Sequence, residues 1–250
     1  GVNGKGKTDI REVAHENIYA LCDIDDHKMA ATLEEDWTAG FRDKARKYRD
    51  YRAMLDNEPE IDAVLISTPD HMHSPIATHA MAMGKHVYVQ KPLTHTVAEA
   101  RLLALWAREN NVVTQMGNQG HAEEGARLIN EWVADGLLGT VTEVHCWTNR
   151  PVWPQGIARP EGSDPVPATM DWELWLGAAP HRPYLQGRYH AFNWRGWRDF
   201  GTGVVGDMGA HIVPTKFFVE ELFYNFKISG WSNDWFAGYP AYYFYFPLPP

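Results

Sequence analysis

The chain of 250 residues is 44% hydrophobic and 22% charged, with 23 Lys and Arg against 32 Asp and Glu, a formal charge of −9. That length and composition suit one large or two ordinary globular domains. The acidic balance argues against nucleic acid or an anionic membrane surface as partner, and no apolar run approaches the roughly 18 residues of a membrane span. Cys22 and Cys146 lie far apart and form neither a disulfide framework nor a metal-ligand spacing, so no metal is expected.

The first residues, Gly1-Val2-Asn3-Gly4-Lys5-Gly6, form a glycine-rich turn running into a helix-compatible stretch to about His15. Such a turn opening a helix cradles phosphate with backbone N–H groups and the positive helix end. The spacing is G-x-x-G-x-G, which a surface turn also explains. Ile18 to Cys22 is a short strand candidate ending at Asp23, placed where an acid can bind ribose hydroxyls, which favours NAD over its 2′-phosphorylated form. A dinucleotide fold needs a strand ahead of the turn, so residues upstream are expected to be missing from this numbering. Localisation is therefore open between the cytoplasm and an exported location.

Helices are expected over 26–35 and 41–55, then a buried parallel-type strand over 61–68. The strand ends in Ser67-Thr68-Pro69 and leads through His71 and His73 to Ser74 and Pro75, read as a helix N-cap and first turn. His71 and His73 read as ligand-facing loop residues, since no Cys or carboxylate completes a metal set. A helix over 76–83 stops at Gly84, and the strand 87–90 delivers Gln90, Lys91 and Pro92. The proline disfavours α geometry for Lys91 and allows a cis bond. A lysine at the carboxyl end of such a strand lies where α/β sheets bind ligands, although a solvated turn lysine would look the same.

A helix over 96–110 presents Ala100, Leu103, Leu105 and Trp106 on its apolar side, and the strand 112–116 ends in Gly117-Asn118-Gln119-Gly120-His121. Three strands alternating with helices predict a doubly wound parallel sheet with its polar strand ends along one rim. A helix over 123–134 and a strand over 141–147 follow, then a loop containing Asn149 and Arg150. Of the 11 tryptophans, nine stand from Trp132 onward, an excess that suits either sugar-stacking faces or an aromatic core. Tyr189, Asn193, Trp194 and Arg195 fall in this aromatic stretch. If a helix opens at Asp207, then Asp207 and His211 share one face, and a carboxylate beside an imidazole suits a general base.

These motifs, in this order from Gly1 to about His211, resemble the glucose–fructose oxidoreductase / inositol dehydrogenase (Gfo/Idh/MocA) family. The carriers are the Gly1–Gly6 turn, Cys22-Asp23, Ser67-Thr68-Pro69 with His73, and the Gly84-Lys85-His86-Val87 run leading to Lys91-Pro92. Gly117 to His121, Trp147 to Pro151, Asn193 to Trp197 and Gly206 to His211 complete them. The resemblance implies a Rossmann-type dinucleotide domain (1–119) and an α+β domain with an open, mainly antiparallel sheet (120–250), which is expected to be incomplete. It further implies hydride transfer between a sugar or polyol carbinol and NAD, in a homo-oligomer, either dimer or tetramer.

Carried over by position, Lys91, Asp207 and His211 are catalytic. Gly1, Asn3, Gly4, Gly6, Asp23, Ser67, Thr68, Pro69, His71, His73, Gln90, Lys91, Asn118, Trp194 and Arg195 face the cofactor. Lys91, Gln119, His121, Asn149, Arg150, Tyr189, Asn193, Asp207 and His211 face a sugar or glycoside. The sequence departs from the family at Gln90, where Glu is usual, at Pro214, where Asp is usual, and beyond Lys216, where the pattern fades. Two other readings stay in view. One is a glycosidase or lyase that retains and recycles NAD, drawing an extra base from His121, His190 or Tyr189; the other is a non-catalytic NAD-binding protein.

Overall fold

The computed structural model describes residues 1–139 and 147–212. By proximity the described residues form two compact units: Gly1–Gly117 with Gly156–Thr202, and 118–139 and 147–155 with 203–212.

In the first unit, α1 (Lys5–Glu12) follows the glycine turn and leads to β1 (Ala20–Cys22) and α2 (Asp26–Leu33). The Asp25 side chain caps α2 by accepting from the His27 and Lys28 amides, which fixes where the loop after β1 becomes helix. The expected helix over 41–55 is instead a turn, then β2 (Arg46–Tyr48), then α3 (Tyr51–Asn57). β2 pairs in parallel with β1. Arg46 and Tyr48 both reach Glu58 at the end of α3, so tertiary pairing overrides the local helical pattern.

β3 (Ala63–Ile66), β4 (His86–Gln90) and β5 (Thr114–Gly117) form a second parallel sheet in that order. The crossovers are α4 (His73–Ala82) and α5 (Val97–Glu109). This is the β-α-β rhythm the sequence predicts, a Rossmann-type doubly wound arrangement. Helix α4 begins one residue before Ser74, after a 3-10 turn over Asp70–Met72, so Ser74 and Pro75 lie inside its first turn and Ser74 is not the cap. Gly84 adopts φ 74° immediately after the helix and redirects the chain into β4. Leu103 is the buried anchor of α5, whereas Leu105, expected on the apolar side, faces outward.

Apolar side chains of α4 and α5 cover the sheet, with Ala77, Ala80, Met81, Val87, Val89 and Ile66 almost fully enclosed. A separate cluster joins Val2 and Ile10 to Leu21, Met29 and Phe41. The segment 156–202 contributes a third, aromatic core of Trp172, Trp175, Tyr184, Tyr189, Trp194, Trp197 and Phe200 around α8 (Trp172–Leu176). It is joined to the loop after β1 by Asp26 N–H to Thr169 O and Asp171 N–H to Ile24 O, each 2.9 Å. Much of the tryptophan excess is therefore packing.

The second unit holds α6 (Gln119–Ala122), α7 (Glu124–Ala134) and α9 (Gly203–Ile212). The strand expected over 141–147 falls almost wholly outside the described residues, as do Cys146, Pro214 and the chain beyond Lys216. No described helix is long and apolar enough to cross a membrane, and among the described residues no His, Cys, Asp and Glu cluster could hold a metal ion.

Candidate active site

The parallel register of β3, β4 and β5 brings three strand ends to one rim: Ser67-Thr68-Pro69, Gln90-Lys91 and Gly117. The glycine turn reaches the same rim, for a methyl group on Gly1 would stand 2.7 Å from Ser67 O. One on Gly6 would stand 2.0 Å from Gly1 O, so only glycine lets this loop close on itself. Gly4 takes φ 59°, a left-handed conformation that glycine adopts without strain. Among the described residues no side chain caps the start of α1, and its Gly6 amide donates to Asn3 O at 3.1 Å. Asp23, at the end of β1, accepts from Val2 N–H at 2.7 Å and Asp25 N–H at 3.0 Å, which locks its carboxylate against the turn. Tight glycines, an uncapped helix start and an acid after the next strand fit a dinucleotide.

The other expected cofactor residues of this unit divide. Lys91 is half-buried directly after β4, and its bond to Pro92 is cis. The Asn3 amide donates to Thr32 Oγ1 at 3.0 Å and so ties the turn to α2. Ser67 and Gln90 both donate to Asp9, a buried carboxylate on α1 that the sequence reading missed. Locally it is marked by Lys5 four residues earlier, a pairing that any exposed helix face also shows.

His71 and His73 are not ligand-facing loop residues; both are buried, each ring spanning two backbone carbonyls. His73 reaches Pro92 O at 2.7 Å and Thr68 O at 2.9 Å, linking the β3 and β4 loops. Burial holds its pKa below the usual imidazole range, the Lys91 charge adds to this, and Asp70 opposes it. His71 reaches Phe200 O at 3.3 Å and Trp175 O at 3.0 Å, and burial pushes its pKa down to about 4. Asp70 accepts from the Thr202 amide at 3.0 Å and its hydroxyl at 2.9 Å. The 70–73 segment is thus a rivet between the sheet and the aromatic core.

Tyr189 and Trp194, expected to face substrate and cofactor, pack in that core. Tyr189 is 1% exposed and packs against Trp172, Trp197 and Phe200, while Trp194 donates through its indole to Ala191 O. The Arg195 guanidinium lies over the Phe192 and Trp194 rings, and half-buried Asn193 donates to Gly187 O. His190 pairs with Asp25 at 3.2 Å, and burial lowers its pKa.

In the second unit α9 carries Asp207, buried, and His211, half-buried, one turn apart on one helix face. The helix opens at Gly203, so Asp207 lies in its second turn rather than at its start. The Asn118 amide donates to Ala210 O, and a methyl group on Gly120 would stand 3.9 Å from His211 Nδ1. The His211 imidazole is therefore a near neighbour of the α6 backbone. Gln119 and His121 are half-buried on α6, Arg150 stands over the Trp153 ring, and Asn149 is exposed.

Two family models match the chain in tandem: "Oxidoreductase family, NAD-binding Rossmann fold" over residues 1–118 and "Oxidoreductase family, C-terminal alpha/beta domain" over 126–222. The chain belongs to the Gfo/Idh/MocA oxidoreductase family. The model over residues 1–118 is that of an NAD-binding fold, so the cofactor is NAD, and the glycine turn with Asp23 fits it. Among curated relatives, a levoglucosan dehydrogenase of Pseudarthrobacter phenanthrenivorans is 25% identical over 69% of this chain and 36% of its own length. A glycosyl hydrolase family 109 protein of Shewanella pealeana is 30% identical over 56% of this chain and 32% of its own. The crystal structure of an oxidoreductase domain protein from Kribbella flavida aligns with TM-score 0.50 at 25% identity, covering 79% of this chain and 43% of that one. The chain thus spans about a third of the length of those two curated relatives.

Proposed function

We propose that this Gfo/Idh/MocA protein transfers hydride between a sugar or polyol carbinol and NAD. The observation that carries the reading is the rim, where a glycine turn suited to a dinucleotide stands beside the strand end that delivers Lys91. The levoglucosan dehydrogenase relative supports the substrate class. In this reading residues 1–119 bind the nucleotide and 120–250 bind substrate and form a homo-oligomer.

Oxidising a carbinol requires a base for the hydroxyl proton and positive charge for the developing alkoxide. Lys91 supplies the charge, His211 takes the proton, and Asp207, one helical turn away, orients the imidazole and stabilises its charged form. Bound NAD supplies the hydride acceptor. Gln119, His121, Asn149 and Arg150 are the proposed sugar contacts, with Asn118 at the nicotinamide. Lys91→Ala should keep NADH affinity within about threefold while lowering kcat by about 10²–10⁴. Turnover at the parent rate would remove Lys91 from the mechanism.

The family 109 glycosyl hydrolase relative favours a second reading, in which the oxidised carbon acidifies its neighbour, the aglycone leaves by elimination, water adds to the resulting double bond, and the hydride returns to the carbonyl so that NAD would be restored. Release of sugar from a glycoside with no added NAD and no net NADH would select this reading; stoichiometric NADH would select the first.

A further inference from the structure

The Asp9 carboxylate sits where three elements meet. It is 6% exposed on α1 and receives Lys5 from its own helix, the Ser67 hydroxyl from the end of β3 at 2.7 Å, and the Gln90 amide from the end of β4 at 2.9 Å. Gln90, 3% exposed, is held from its other side as well. It pairs with Gly117 of β5, where a methyl group would stand 2.8 Å from both Gln90 Nε2 and the Tyr88 hydroxyl. Glycine at 117 therefore clears the space Gln90 occupies, and Asp9 fixes where its amide points. Lys91 is the next residue in the chain.

We infer that Asp9 is a positioning residue: by accepting from Gln90 it sets the end of β4 and hence the direction in which Lys91 is delivered. The inference rests on the reading of Lys91 as the cation beside the reacting carbinol. It also gives a reason for the departure at position 90. A glutamate there would bring a second carboxylate to within hydrogen-bond distance of Asp9 in a buried place, where like charges cannot both remain ionised. An amide can donate where a carboxylate cannot. The choice of residue at 90 is therefore coupled to the acid at 9.

The coupling is tested in the whole protein with Asp9→Asn, Gln90→Glu and the double variant, in which the new amide at 9 can donate to the new carboxylate at 90. Two quantities are read: steady-state kcat and KM, and the rate at which Lys91 is acylated by a water-soluble active ester, followed by peptide mass spectrometry without cofactor. Gln90→Glu should lower kcat by about tenfold or more and should change the Lys91 acylation rate by about threefold or more. The double variant should return both to within about threefold of the parent. A double variant no better than Gln90→Glu in either readout overturns the inference. If the parent turns over no sugar or glycoside, the dehydrogenase and glycosidase readings fall, and the acylation rates alone still decide whether Asp9 and Gln90 act as a pair on Lys91.

Discussion

His71 shows how one side chain can be read correctly as special and wrongly as to why. Its position after a strand end marks it as functional, yet its ring nitrogens meet the carbonyls of Phe200 and Trp175, partners 129 and 104 residues away. No local pattern reports such partners. Both carbonyls accept, so an imidazolium could satisfy the two at once; burial outweighs that gain and drives the pKa down to about 4. The fold therefore prefers neutral His71, whereas the unfolded chain protonates near 6.5. Stability is fully present above about 6.5 and is lost as pH falls toward 4, by at most about 3 kcal/mol for this group. Urea unfolding at pH 7.5 and 4.5 should show the drop, and His71→Asn should reduce it. A variant with the parent's pH slope would assign the acid sensitivity to other groups.

At the scale of elements, local chemistry makes some structure legible and leaves the rest to pairing. Helix α5 is written in its own residues: Thr96 accepts from the Glu99 amide while Glu99 returns to the Thr96 amide, a reciprocal cap. Removing it with Thr96→Ala should cost about 1 kcal/mol in urea unfolding, and a loss under a few tenths would mean the helix start is held by packing alone. β3 and β4 were legible for a related reason, since buried parallel strands carry near-continuous apolar runs that punctuating glycines and polar ends delimit, whereas β5, exposed at Thr114 and Gln115, followed from the β-α-β rhythm. β2 was not. Arg46-Lys47-Tyr48 has no apolar run, and it is extended because β1 offers hydrogen bonds and Glu58 holds Arg46 and Tyr48. Of the candidate site, the glycine turn, Asp23 and the Lys91 strand end could be read from spacing. Asp9 could not, because its role comes from Ser67 and Gln90, 58 and 81 residues away.

For the molecule as a whole, the consequential departure from a linear reading is that 156–202 packs with 1–117. Position in the chain suggests that a late aromatic segment belongs to the substrate domain. Its side chains nonetheless pack it with the first unit: Phe200 is fully enclosed, with its ring 5.3 Å from His71, 4.7 Å from Trp175 and 5.4 Å from Tyr189. The backbone around it is tied to the sheet loops at Asp70–Thr202, His71–Phe200 and His95–Gly201. If these contacts make one cooperative unit, the loop after β3 and the aromatic segment share their stability. Phe200→Ala should then destabilise by about 3–5 kcal/mol, and amide exchange by mass spectrometry should accelerate together in peptides spanning 67–83 and 170–200. Faster exchange confined to 170–200 would mean that the aromatic core unfolds by itself and that the His71 rivet does not couple it to the sheet.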